Sequence, residues 1–151
     1  MIHRIAAGVI IEDAGRILLV RHYKPGRYDF WVTPGGGAEG NEDLRATAIR
    51  EAKEESGLDV ETSAIAYIEE LTTPTTRECK VWFIGRVVGG ELHTTSAEAA
   101  EECITEAAFL APSEFAGKRV YPPVLHDEYW RDKDRGFAQP RYLGVRAMLD
   151  V

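Results

Sequence analysis

The sequence predicts an α/β (α+β) fold, in which a mixed β-sheet lies between helices as an α/β/α sandwich. Runs rich in β-branched residues occur on both sides of a predicted helix at 42–56. A second helix is predicted at 122–133, where a proline pair suits the first helical turn. Strands separated by helices in this way favour a sheet that is covered on both faces.

Five runs are predicted as strands: 3–11 and 16–22, which the turn EDAG joins into a hairpin, then 63–71, 78–89 and 103–110. TPTT is the predicted turn between the third and fourth strands. Other segments are less regular. We expect a loop at 23–37 with an extended piece near Trp31, and a polar loop or short helix at 91–102. We also expect a helical turn at PSEF, and strand or helix in the tail RYLGVRAMLDV.

The helix at 42–56 has start and stop signals. Asn41 is suited to cap its first turn, and the acidic residues Glu42 and Asp43 suit the positive end of the helix dipole. Gly57 is suited to the left-handed position that ends a helix. Leu44, Ala48 and Ala52 form an apolar stripe at helical spacing.

Composition restricts the class of protein. The 151 residues contain no internal repeat or linker-like tract, which predicts one domain over 1–151. A net charge of −7 argues against binding to nucleic acid polymers. No apolar run approaches the ~20 residues of a membrane span, and the N-terminus does not resemble a signal peptide. Cys79 and Cys103 have no disulfide-framework or zinc-site spacing, so we expect a reducing, cytoplasmic location.

One helical stretch, REAKEESGL, carries three glutamates at positions 51, 54 and 55. Residues three and four apart are neighbours on a helix, and like charges at that spacing destabilise it. Carboxylates on one helical arc can bind hard divalent cations such as Mg²⁺, which also coordinate substrate phosphates. The alternative is a solvated acidic helix face.

The spacing around these glutamates resembles the Nudix box. Gly36 is followed after five residues by Glu42, and after seven more by the segment Arg50 to Leu58. Every fixed position of the box is matched, and the two positions that prefer a hydrophobic residue hold Ala52 and Leu58. The preceding TPGGG is also similar to the family's usual lead-in. The resemblance implies a Nudix-type sandwich and a Mg²⁺- or Mn²⁺-dependent hydrolase.

The resemblance also implies residue roles. Glu51 and Glu55 match the family's usual metal ligands, and Glu54 matches a position that is a further ligand or a helper. Gly35 matches the residue whose backbone carbonyl usually reaches a metal. The remaining box residues are implied to be structural, with Arg50 pairing with and orienting the glutamates, Glu42 bracing the loop before the helix, and Gly36 permitting close backbone approach.

The general base is left open, because family members use either a box glutamate, here Glu51 or Glu54, or a glutamate from a later loop. Glu102 is our first choice in that loop and Glu101 the next; Glu98 and Glu106 are alternatives. A basic cluster around a Pro-Gly turn, together with one arginine after TPTT, supplies candidate phosphate contacts, namely Arg21, Lys24, Arg27 and Arg77.

The resemblance implies a small nucleotide-type substrate, in which a nucleoside diphosphate is linked to another moiety. Nucleotide sugars, ADP-ribose and modified nucleoside triphosphates all satisfy that description, and the sequence does not select among them. The alternative is a non-catalytic, nucleotide-sensing domain of the same fold. The resemblance also makes a homodimer an expectation, with the aromatic residues Tyr129 and Trp130 either at an interface or covering the core.

Overall fold

The computed structural model describes residues 1–148 and contains a curled mixed sheet with few helices. The strands are β1 (Ile2–Asp13), β2 (Arg16–Lys24), β3 (Tyr28–Val32), β4 (Gly35–Gly37), β5 (Leu58–Thr72), β6 (Thr76–Gly90), β7 (Ile104–Leu110), β8 (Val120–Tyr121) and β9 (Arg141–Ala147). The helices are α1 (Leu44–Ser56), α2 (Ala97–Glu101) and α3 (Glu128–Asp134), with 3₁₀ turns at Pro112–Glu114 and Pro123–His126.

The sheet follows the order β8-β3-β2-β1-β6-β5-β9, with β4 paired to β1 and β7 to β2. The β1–β6, β5–β9 and β3–β8 pairs are parallel, and the other strand pairs in this part of the chain are antiparallel. The predicted mixed sheet is therefore confirmed. The predicted hairpin is also confirmed, and its two-residue turn places Ala14 and Gly15 at positive φ, as tight hairpins require.

Two apolar clusters lie on opposite faces of β1 because side chains alternate along a strand. Val9 and Ile11 pack with Ala48 and Ala52 of α1 on one face. Ile10 belongs to the cluster on the other face. Helix α1 is thereby held on the sheet by its small apolar stripe.

The second cluster is closed by the C-terminal region. Leu125 and Tyr129 are almost fully buried, and Trp130 packs against them while its indole N–H donates to the Leu125 carbonyl. Fully burying one such apolar side chain contributes about 1.5–3 kcal/mol. Of the two roles considered for Tyr129 and Trp130, the structure places them over the core.

Several local predictions were wrong. Helix α1 begins at Leu44, and Asp43 caps it by accepting from the Ala46 N–H at 2.8 Å, so Asn41 is not the cap. The predicted helix at 122–133 is a 3₁₀ turn followed by α3, because Asp127 leaves the helical conformation. In segment 23–37 the extended piece predicted near Trp31 is confirmed as β3, but β4 was predicted as loop.

Two outcomes concern the ends of the predicted elements. Gly57 ends α1 in the left-handed conformation, as predicted. The tail forms strand β9, and its last residues, 149–151, lie outside the described part of the chain. Within residues 1–148, no helix is both long and apolar enough to cross a membrane.

Candidate active site and metal centre

Helix α1 presents two glutamates toward the sheet. Glu51 and Glu55 lie one helical turn apart on the buried side of the helix, with exposed fractions of 5% and 1%. Glu54 lies between them in sequence and is only partly buried. Two of the three glutamates of REAKEESGL are therefore not on a solvated helix face.

The glycine strand β4 lies directly against these carboxylates. The Gly35 N–H donates to Glu55 Oε1 at 2.8 Å. A Cβ atom at Gly36 would lie 2.4 Å from Glu51 Oε1, closer than any real contact. A side chain at position 36 would therefore displace the Glu51 carboxylate from its place against β4.

Arg50 connects the loop before α1 to the helix. Its guanidinium donates to Glu42 Oε1 at 2.7 Å, to Glu51 Oε1 at 3.0 Å and to Glu54 Oε2 at 3.1 Å. It also donates to the Gly37 carbonyl at 3.0 Å. The hydrogen bonds from Arg50 to Glu42 lower the pKa of the Glu42 carboxyl to about 2. A single fixed cation therefore offsets part of the repulsion within the glutamate cluster.

Two buried carboxylate oxygens remain without a partner. Glu51 Oε2 and Glu55 Oε2 have no hydrogen-bond donor among the described residues. Burial raises the pKa of Glu51, and it raises that of Glu55 well above the usual range, where the charges of Glu102 and Glu51 add to the effect. Buried carboxylate oxygens normally have hydrogen-bond partners. Unpartnered hard oxygen donors fit a divalent cation.

Glu102 is brought to the same cluster by the loop after β6. Ser96 caps α2 by accepting from the Ala99 N–H, and its hydroxyl donates to the Glu54 carbonyl, which ties this loop to α1. Glu102 as a residue is exposed, but its carboxyl group faces the cavity beside the glutamates. Burial there, with the charges of Glu51 and Glu54, raises its pKa to about 7.

The match to known protein families decides the identity of this arrangement. The family model described as the NUDIX domain matches residues 2–128, most of the chain. The chain belongs to the Nudix family. The family prediction is thereby confirmed, whereas one domain over 1–151 stays a prediction.

Individual Nudix relatives show how far the likeness extends. The chain is 35% identical over 66 residues, 44% of its length, to nucleoside diphosphate-linked moiety X motif 6 of Xenopus laevis. That match spans only 30% of the relative. Among solved structures, a NUDIX hydrolase from Nitrosomonas europaea matches with a TM-score of 0.70 and 23% identity, over 92% of this chain and 91% of that one.

A second solved structure, an ADP-ribose pyrophosphatase from Streptococcus suis, matches with a TM-score of 0.66 and 20% identity, over 95% of this chain and 98% of that one. At such identities the structural likeness establishes the fold. It leaves the substrate of this Nudix protein open.

A cavity of about 250 Å³ opens beside the glutamates. Its cationic side chains are Arg4, Lys80 and Arg146, and its aromatic ones are Phe30, Trp82 and Tyr121. Lys80 is 8% exposed and lies 4.3 Å from the centroid of the Trp82 ring. No carboxylate in residues 1–148 lies within ion-pair distance of it. No local sequence pattern distinguishes Lys80 from other strand residues, and it was not predicted as a site residue.

The four predicted phosphate-contacting residues lie elsewhere. Arg21 donates two hydrogen bonds of 2.8 Å to Asp29 and lines a different cavity, and Arg77 pairs with Glu70 at 2.7 Å. Lys24 is exposed at the end of β2, and Arg27 is exposed in the turn that follows. The first cavity includes none of them, and their role in substrate binding stays a prediction.

His22 was not predicted as a site residue, yet it lies at the carboxylate cluster. Its Nε2 is 4.0 Å from Glu55 Oε2, and burial together with the charge of Lys80 lowers its pKa to about 4. The ring stacks on Phe30 with a centroid distance of 4.8 Å. Nothing in RILLVRHYK distinguishes this histidine from a surface strand residue, because its position depends on strand register.

Proposed function

We propose that this Nudix protein hydrolyses a phosphoanhydride bond in a small molecule that contains a nucleoside diphosphate linked to another moiety. The observation that carries the proposal is the pair of buried, unpartnered oxygens on Glu51 and Glu55, which lie beside a cavity with cationic and aromatic walls. In such a reaction, water adds to one phosphorus, the bridging P–O bond breaks, and the bridging oxygen leaves with the other phosphate.

The residues that would hold a divalent cation, Mg²⁺ or Mn²⁺, are Glu51, Glu55 and the backbone of Gly35, with Glu54 as a further ligand or helper. When bound, the cation supplies positive charge that offsets the charge of the phosphate oxygens. Arg50 would keep the glutamates in position, because its guanidinium is hydrogen-bonded to both ends of the loop–helix junction.

Glu102 is our proposed general base. It is the later-loop glutamate that lines the cavity beside the buried glutamates, where a carboxylate could accept a proton from the attacking water. Its carboxylate would take a proton from the attacking water while the box glutamates remain acceptors. Glu51 and Glu54 stay alternatives for this role, but both accept hydrogen bonds from Arg50.

The cavity supports a binding mode in which one moiety of the substrate is enclosed. Small-molecule pockets usually measure about 300–1,000 Å³, and this one has about 250 Å³. Phe30 and Tyr121 contact each other edge to face, with ring centroids 6.1 Å apart, so a base or sugar would lie against this aromatic wall. Lys80 lines the same cavity and could contact a phosphate oxygen. We expect the second moiety to project toward solvent. We also retain the expectations of a cytoplasmic location and a homodimer.

The test is a hydrolysis assay with Mg²⁺ and with Mn²⁺ on ADP-ribose, nucleotide sugars and modified nucleoside triphosphates. Two monophosphate-containing products would indicate a substrate of the ADP-ribose or nucleotide-sugar kind, whereas pyrophosphate and a monophosphate would indicate a triphosphate. Folded protein that turns over none of them would contradict the proposal. Tight binding without product would instead support the nucleotide-sensing alternative.

The assignment of Glu102 has a test with a matched comparison in the same loop. Glu102→Gln is expected to lower kcat by about 10²–10⁴-fold, the usual contribution of a general base. Glu101→Gln, a change at the exposed neighbouring residue, is expected to keep most of the activity. The reverse result would make Glu101 the base, and full activity in both variants would move the role to the box glutamates.

A further inference from the structure

Histidine 22 adds a nitrogen atom to a site otherwise built from oxygen. His22, Glu55 and Glu102 each offer one ligand atom, and these atoms all lie within 4.8 Å of one another. We infer that His22 is a ligand of the divalent cation and that its imidazole makes the site favour Mn²⁺, Co²⁺ or Ni²⁺ over Mg²⁺. The inference rests on the proposed function only in placing the cation at the glutamate cluster.

The separations suit a shared ion. Ligand atoms bonded at about 2.1 Å to an octahedral ion lie about 3 Å apart when adjacent and about 4 Å apart when opposite. His22 Nε2 and Glu55 Oε2 are 4.0 Å apart. Glu102 lies at the edge of the same group and keeps its role as the proposed general base, so the ligands argued for here are His22 and Glu55.

The Glu55 carboxylate points to a ligand independently of the cluster. Glu55 is 1% exposed. Its Oε1 accepts from the Gly35 N–H, whereas Oε2, the atom nearest the His22 ring, has no hydrogen-bond donor among residues 1–148. A cation between Oε2 and the imidazole would satisfy both atoms.

The imidazole is also held in place before any ion binds. His22 and Phe30 are register partners on β2 and β3, and their rings are stacked within 5° of parallel. The pairing of β2 with β7 shifts register between Arg21 and His22. A ligand fixed by packing loses little freedom on binding.

Ligand chemistry then determines the preference among ions. Carboxylate, carbonyl and water oxygens suit Mg²⁺, whereas imidazole suits later first-row ions. Mg²⁺ also keeps several waters, so it has less need of a ring nitrogen. Removing the imidazole should therefore weaken transition-metal binding and leave Mg²⁺ binding nearly unchanged.

The first experiment is calorimetry on the full metal-free chain with MgCl₂ and with CoCl₂ as the probes. His22→Phe keeps an aromatic ring to stack on Phe30, and His3→Phe is the matched control at an exposed strand position. We expect Co²⁺ affinity to fall about 10–100-fold in His22→Phe, the range found when groups around a metal are altered, with less than about threefold change for Mg²⁺. Equal Co²⁺ affinity in folded His22→Phe and wild type would overturn the inference.

The second experiment needs no variant. Pulsed electron paramagnetic resonance of Mn²⁺ bound to wild-type protein is expected to show nitrogen coupling, and histidine-specific ¹⁵N labelling should change that coupling. Absence of histidine nitrogen coupling would overturn the inference even if His22→Phe failed to fold. Neither measurement depends on turnover, so a Mg²⁺-active enzyme without this coupling would keep the proposed function and lose only the role of His22.

Discussion

Glu69 and Glu55 are both almost fully buried glutamates, but their surroundings differ. Glu69 Oε1 accepts from the Trp82 indole N–H at 3.0 Å, and its two oxygens each accept from Arg146 at 3.2 Å. Glu55 has one donor, the Gly35 N–H, and one oxygen with none in the described chain. The two residues are 2% and 1% exposed.

The difference separates a structural carboxylate from one available to a ligand. Burying a charge is costly unless it is paired and hydrogen-bonded. The fold supplies those partners to Glu69 through strands β5, β6 and β9. At Glu55 the same cost is left partly unrelieved, and a cation from solution would relieve it.

The largest expected effect is on turnover in Glu55→Gln. Groups that only support metal ligands are worth 10–100-fold, so loss of a charged ligand should lower kcat/KM by at least about 100-fold. The measurement is steady-state hydrolysis of the substrate identified by the panel. Glu69→Gln is the comparison, and an equal loss there would remove the distinction between the two residues.

For the same variant, the direction of the change in unfolding free energy can also be predicted. The folded-state pKa of Glu55 is raised above its usual value of 4.5, so metal-free wild type loses stability as pH rises from about 4.5 through the raised pKa. Glutamine does not titrate. Metal-free Glu55→Gln should therefore be at least as stable as wild type at neutral pH, by denaturant unfolding in a chelator.

Glu69→Gln should behave in the opposite way. It removes the negative charge that accepts hydrogen bonds from Arg146 and Trp82. Loss of hydrogen bonds to a charged group costs about 2 kcal/mol. Urea unfolding should show that loss with and without divalent metal. A variant as stable as wild type would mean that Arg146 finds another partner.

Ser96→Ala is expected to have a smaller effect. Ser96 caps α2 and donates to the Glu54 carbonyl, and loss of a helix cap costs about 1 kcal/mol. Because this contact positions the Glu102 loop, kcat should fall more than KM rises. A change confined to stability would limit Ser96 to capping.

The smallest expected effect concerns Glu42, a carboxylate paired near the surface. Its folded-state pKa is about 2, against a usual value of 4.5, because of its hydrogen bonds to Arg50. Its contribution to stability is therefore present above about pH 4.5 and lost as pH falls toward 2. The difference in unfolding free energy between wild type and Glu42→Gln should shrink over that window; a constant difference would contradict the pairing.

Much of this site could be predicted from sequence because it is local. Glu51 and Glu55 share a helix, and their spacing to Gly36 and Glu42 is fixed along a short stretch of chain. Asn41 and Asp43 both suit the cap position. Only the backbone path decides between them, and it starts the helix at Leu44, directly after Asp43. β4 was missed because three glycines in a row resemble a loop until β1 is beside them.

The remaining features depend on long-range register. Arg146 reaches Glu69 because β9 pairs with β5, and His22 on β2 lies 4.0 Å from Glu55 on α1, two elements that are distant in sequence. No local pattern distinguishes these residues from others in their strands. The same holds for Lys80, whose burial depends on packing between Gly35 and Trp82.

The most direct test of the contrast is thermal unfolding with and without Mn²⁺ for wild type, Glu55→Gln and Glu69→Gln. A ligand that binds only the folded state at 100 times its Kd adds about 2.7 kcal/mol, which for a chain of this size raises Tm by about 5–10 °C. We predict that increase for wild type and for Glu69→Gln, which starts from a lower Tm, and no increase for Glu55→Gln. An equal increase in Glu55→Gln, or none in wild type, would contradict the assignment of the unpartnered carboxylate to a cation.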